Sequence, residues 1–236
     1  MRSISTIELW VKWRMVSEPN GFSTAQRSLS LVSGRSFDEY LADVPPLTLL
    51  LRRRLHEIRI PVGEQDFFIN YPDTLHFVVV VSDDSPETVA VAPVLAAIAQ
   101  RSPRFSLQIL RDTDDLSDLA RLAEEIDLLG IMTELGLPLL LIFDEEGNFQ
   151  GQWGPHPQEA ERYLDAWFEA HPEYDALAES DDPAAQARFV QLLDELTFEM
   201  RTWYNSGLNR ACISEIRALL AGLLEDEAPE EELQDA

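Results

Sequence analysis

The chain has 236 residues, 43 of them acidic against 18 lysines and arginines, for a formal net charge of −25 at neutral pH. With one cysteine, Cys212, and one lysine, Lys12, it cannot form an intramolecular disulfide or a self-contained dithiol centre. The counts also speak against a four-ligand Cys/His zinc site, and the charge opposes nucleic acid and anionic membrane surfaces. No cofactor motif and no metal-ligand spacing stands out.

Residues 7–15 alternate, with Ile7, Leu9, Val11, Trp13 and Met15 on one face and Glu8, Lys12 and Arg14 among the others. That period of two predicts a half-buried strand, and the charges leave no apolar core for a secretory leader. After the turn cluster Ser17–Gly21, Phe22–Val32 reads as a returning strand, so residues 1–35 form an N-terminal extension with a possible β-hairpin. Ser36 and Glu39 make a capping box for a helix over Phe37–Ala42. Pro45-Pro46 opens a second helix, Leu47–Ile58, stopped by Pro61 and Gly63. Residues 36–74 are thus a helical lead-in, and Arg52-Arg53-Arg54 on it reads as cations paired with the protein's own acids.

Leu75–Val81 is apolar and β-branched, the pattern of a central strand covered on both faces. Asp84 is placed as the N-cap of the next helix, with Pro86 in its first turn, and the helix runs to about Arg101 with Pro93 inside it. A strand over Phe105–Leu110, a helix over Leu116–Leu129 and a strand over Leu139–Phe143 follow. A tight turn then leads to a returning strand, Phe149–Trp153, and a helix over Pro157–Ala170. The helical crossovers predict the first three strands parallel and the last antiparallel. Beyond residues 75–172 come a helical segment, 173–224, with helices at Pro183–Trp203 and Leu208–Leu224, and an acidic tail, 225–236, read as disordered. No apolar run approaches the ~20 residues of a membrane helix, so the expectation is a cytoplasmic protein.

The order β-α-β-α-β-β-α, with three local words, resembles the thioredoxin-like superfamily, in particular the bacterial branch with an added C-terminal helical segment. The words are Pro93-Val94-Leu95-Ala96-Ala97-Ile98-Ala99, Leu137-Pro138-Leu139-Leu140-Leu141-Ile142-Phe143-Asp144 and Trp153-Gly154-Pro155-His156-Pro157. The last is similar to that branch's Trp-Gly-Pro-Arg-Pro with histidine for arginine, and the ending Trp203-Tyr204-Asn205 … Glu215-Ile216 is similar to its tail. The resemblance covers roughly residues 36–222. It implies an α/β thioredoxin-like fold, a central mixed sheet flanked by helices, with a cis Pro138 beside the active-site loop.

Where a redox-active member carries Cys-x-x-Cys, this chain has Ser85-Pro86-Glu87-Thr88. A hydroxyl lacks the acidity of a thiol and forms no mixed disulfide, so dithiol chemistry is excluded at that loop. The expected role is a redox-inactive protein- or peptide-binding module or scaffold. Its candidate site comprises Ser85 and Thr88 at a helix head, Leu137 and Pro138 on the proline loop, and Trp153 and His156. Against binding, Ser85 and Thr88 read as helix caps, Trp153 as a packing anchor and His156 as a surface residue. The alternative is a thiol-disulfide oxidoreductase or auxiliary working through Cys212, which by itself reads as a buried structural thiol. Arg111-Asp112-Thr113-Asp114-Asp115 reads as a polar strand-to-helix loop, with metal binding through Asp112, Asp114 and Asp115 as a weaker alternative. A phosphorylation-receiver reading of Val78–Pro86 fails because no lysine follows position 12. The expected partner is a protein or peptide, or a second copy meeting the edge of the Ile7–Met15 strand.

Overall fold

The computed structural model describes residues 32–226 apart from residue 125. The strand pair expected before residue 32 and the tail expected beyond 226 lie outside the described residues. Helices α1 (Phe37–Asp43), α2 (Pro45–Glu57) and α3 (Val62–Ile69) precede β1 (Leu75–Val81). Then come α4 (Pro86–Ala99), β2 (Phe105–Arg111), α5 (Ser117–Leu122), α6 (Leu128–Leu135), β3 (Leu139–Phe143) and β4 (Phe149–Trp153). A 3-10 turn at Gln158–Ala160 leads into α7 (Glu161–Ala170), α8 (Tyr174–Ala178) and α9 (Pro183–Trp203). A wide turn, Tyr204–Leu208, joins α9 to α10 (Asn209–Asp226).

The sheet order is β2-β1-β3-β4. β1 and β2 are parallel, but β3 runs antiparallel to β1, which corrects the expectation of three parallel strands. Arg111 at the end of β2 lies opposite Val81, and Leu139 at the start of β3 lies opposite Val80. β2 therefore ends where β3 begins, and the connection only crosses the sheet without returning along it. Two short helices suffice for that step, whereas a parallel strand needs a crossover spanning the strand's length. The single helix expected over Leu116–Leu129 is accordingly two. Asp127 restarts the helix by accepting from the Gly130 amide at 3.0 Å, and Leu119, Ala123 and Leu128 all reach one core.

Strand alternation divides the interior. Phe77, Val79 and Val81 join Leu140, Ile142 and Ile109 under α4 and the C-terminal helices. Val78 and Val80 join Leu139, Leu141 and Phe143 under α5 and α6. With both faces covered, β1 and β3 need the near-continuous apolar sequence they have. On the outer edge, the Arg35 amide donates to the Ile109 carbonyl at 2.9 Å and α1 packs alongside, blunting β2.

Within α4 every residue but Glu87 is buried. A helix apolar all round needs cover on every side, and α4 is enclosed by the sheet, α2, α9 and α10. Its cap is Ser85 rather than Asp84: the Ser85 hydroxyl accepts from the Thr88 amide at 3.4 Å, and Pro86 takes the first helical position. Pro61, expected to stop a helix, instead precedes one, since proline suits a helix start.

Arg54 joins the lead-in to the C-terminal helices. It is fully buried and donates to Asn205 Oδ1 at 2.7 Å, Asn209 Oδ1 at 2.9 Å and the Ala90 carbonyl at 3.1 Å. Glu57 receives Arg201, Asn205 and Arg54, while Arg53 meets Glu57 only from the surface. Arg53 and Arg54 thus pair with the protein's own Glu57, Arg54 from inside the molecule. Arg201 above all, with Asn205 and Arg54, holds the Glu57 carboxyl down at about 2, against an ordinary value of 4.5. Because the folded value lies below the unfolded one, this contribution is present above about pH 4.5 and lost as pH falls toward 2. Urea titrations at descending pH should show Glu57→Gln with a flatter loss of stability across that window than wild type.

Candidate functional site

Three loops meet at the end of the sheet where β1 finishes and β3 begins. The first is the head of α4, Ser85-Pro86-Glu87-Thr88, with the Ser85 hydroxyl donating to Glu87 Oε2 at 3.0 Å. The second is Gly136-Leu137-Pro138. Gly136 closes α6 at φ +89, where a side chain is disfavoured, and the Leu137–Pro138 peptide is cis, as the resemblance implies. Leu137 packs against the core beneath α5 and α6, and its backbone makes no hydrogen bond to another described residue.

The third loop is Trp153-Gly154-Pro155-His156, with a second cis peptide at Gly154–Pro155 that the sequence reading did not anticipate. It packs closely on the second. A Cβ at Gly154 would lie 2.3 Å from the Pro138 carbonyl oxygen, so only glycine fits there, and Gly154 also has φ +137. The Trp153 indole donates to Glu215 Oε2 at 2.9 Å, and the other oxygen of Glu215 accepts from the Gln158 amide at 2.9 Å. α10 therefore fixes this loop from 62 residues away in sequence.

His156 corrects the expectation of a surface residue. It is half-buried, its Nδ1 is shielded from solvent and has no hydrogen-bond partner, and burial lowers its pKa although Glu87, Glu161 and Glu215 oppose this. Thr88 is wholly buried, and its hydroxyl also lacks a partner. Burial, with Glu87 and Asp175 adding, pushes Tyr174 up to about 12. The six residues singled out in sequence thus all lie on these three loops. Sequence reasoning missed Glu215, whose side chain comes to this end only through the tertiary fold.

Cys212 is fully buried on α10 and not at the head of α4. Burial pushes its thiol well up, and the nearby Glu215 carboxylate adds to this, so the thiolate is disfavoured. At the ends of β1 and β2, the acids have separate partners: Asp114 receives Arg35 and the Arg111 amide, Asp115 receives the Ser117 amide, and Asp83 receives Tyr40. Among the described residues, no group of three or more His, Cys, Asp or Glu is disposed to hold a metal ion. No helix among them is long and apolar enough to cross a membrane. A cleft of about 520 Å³ lies elsewhere, lined by Arg162, Tyr163, Ala166, Trp167, Ala170 and Trp203.

The sheet order, the helix head beside a cis proline and the C-terminal helices that cap them define a protein of the thioredoxin-like class. A family model described as thioredoxin matches residues 34–168, over half of the chain, and the chain belongs to that family. No curated protein matches it in sequence. Among solved structures it is similar to the protein of unknown function PA1234 from Pseudomonas aeruginosa. The identity is 18%, with 80% of this chain and 93% of that one covered and a TM-score of 0.48. It is also similar to an HIV 4E10 epitope-scaffold at 15% identity, with 80% and 94% covered and the same TM-score.

Proposed function

We propose that the protein is a redox-inactive thioredoxin-family module that binds an extended segment of a protein or peptide across these three loops. The carrying observation is the head of α4. Ser85 and Thr88 stand there in place of two sulfurs, while the backbone of Leu137 is bonded to no other described residue. An extended segment satisfies that amide and carbonyl by strand-like pairing, which supplies affinity without any reaction. The burial of Cys212 also supports the reading, since a buried thiol cannot reach a disulfide in solution. In a dithiothreitol-coupled insulin assay, wild type and Cys212→Ser should be equally inactive, and both should bind the same peptides with equal affinity. Turnover that depends on Cys212 overturns the proposal in favour of a single-cysteine enzyme.

A further inference from the structure

The two faces of the sheet are covered unequally. One lies under α4, which α2, α9 and α10 enclose in turn. The other has α5 and α6, of six and eight residues. On α6 the spacing Leu128, Ile131, Met132, Leu135 is the stripe a helix turns toward a core. Leu128 is buried, but Ile131 and Met132 are only half-buried, Leu135 is 39% exposed and Leu129 37% exposed. Leu116, Leu122 and Ile126 are likewise half-buried. The chain enters the described structure beside this face. Arg35 and Ile109 exchange both backbone hydrogen bonds, at 2.9 and 2.7 Å, in antiparallel sense. The chain before Arg35 therefore runs toward Arg111, where β2 leads into α5. Val32 is buried in the same core as Leu119, Ala123 and Leu128.

We propose that residues 7–15 of the same chain lay their apolar face, Ile7, Leu9, Val11, Trp13 and Met15, along α5 and α6 and cover the exposed leucines there. The 16 residues between Met15 and Val32 reach about 50 Å when extended, several times the ~12 Å length of α6. The charges match as well. Residues 1–31 hold Arg2, Lys12, Arg14 and Arg27 against Glu8 and Glu18, a net +2 that leaves −27 on the rest of the chain. Residues 116–137 hold five acids and one cation, Arg121, which is engaged by Asp118 at 2.9 Å. A positive segment is drawn to an acidic face at long range, and its alternating apolar side chains, Trp13 the largest, then supply the burial. The tether favours the segment of the same chain over that of a second copy, whose body carries the same repelling charge.

Hydrogen exchange of the full chain tests this with two like substitutions on opposite faces of the segment. Trp13→Asp should speed exchange of the α6 amides about tenfold and Trp10→Asp by less than about twofold, with the α4 amides protected in both. Tryptic cleavage after Lys12 and Arg14 reads the same contact from the other side. Leu135→Glu, at an exposed position on α6, should speed that cleavage about tenfold over wild type. Leu49→Glu makes the same change at an exposed position on α2 and should leave the rate as it is. Equal effects of Trp10→Asp and Trp13→Asp overturn the proposal, and so does cleavage that Leu135→Glu leaves unchanged. Rates that vary with protein concentration place a second copy on the face and overturn it too. The proposal stands apart from the peptide-binding reading, which uses none of the substituted residues.

Discussion

Arg54→Ala lowers the unfolding free energy by roughly 3–5 kcal/mol, and Arg53→Ala, one residue away, by less than about 0.5 kcal/mol. The difference follows from position. Arg53 is two-thirds exposed, with Glu57 as its ion-pair partner, whereas Arg54 has no exposed surface. Removing Arg54 strips donors from Asn205, Asn209 and the Ala90 carbonyl together and opens a void among α2, α4 and the turn before α10. Each buried acceptor left alone costs about 1–3 kcal/mol. Burial lowers the Arg54 pKa and Glu57 opposes this, so the side chain is held by its partners against a real desolvation cost. In thermal unfolding the loss should appear as a fall in Tm of about 10 °C for a domain of this size. Equal shifts for the two variants would mean that Arg54 does not join the lead-in to the C-terminal helices.

Gly154→Ala has the second large effect, and it connects stability to the site. The new methyl would meet the Pro138 carbonyl oxygen at 2.3 Å, a backbone atom that no side-chain rotation can move aside. Overpacking of this kind costs about 1–3 kcal/mol, and a side chain at φ +137 adds about 1 kcal/mol. The expected total is a loss of roughly 2–4 kcal/mol by urea unfolding. The contact is relieved only by separating the Trp153–His156 loop from Pro138, so peptide affinity should fall with stability. Gly222→Ala on α10 is the matched control: its methyl meets nothing within 4 Å, and the change should be neutral or stabilising by up to about 1 kcal/mol.

Local pattern marked the elements well. Leu75–Val81, Leu139–Phe143 and Pro183–Trp203 match the bounds read from sequence, because continuous apolar runs and an Asp-Pro helix start carry their meaning within a few residues. The direction of β3 was not legible, since an apolar strand reads alike both ways and only the length of its connection separates the two. α3 and the restart at Asp127 were hidden by rules that read Pro61 as a stop and Leu116–Leu129 as one amphipathic face. At the site, the proline loop, the missing sulfurs and Trp153 could be read from short words. The partners that give them chemistry could not: Glu215 reaches Trp153 from α10, and Arg54 reaches Asn209 across 155 positions.

The most direct test of the binding site is to map it, by following backbone amide shifts during titration with a blocked, extended heptapeptide of alternating valine and threonine. The account predicts shifts concentrated at Ser85–Thr88, Leu137–Leu139 and Trp153–His156, unchanged in Cys212→Ser. Shifts confined to the cleft of Tyr163, Trp167 and Trp203, or no shifts at all, would contradict it.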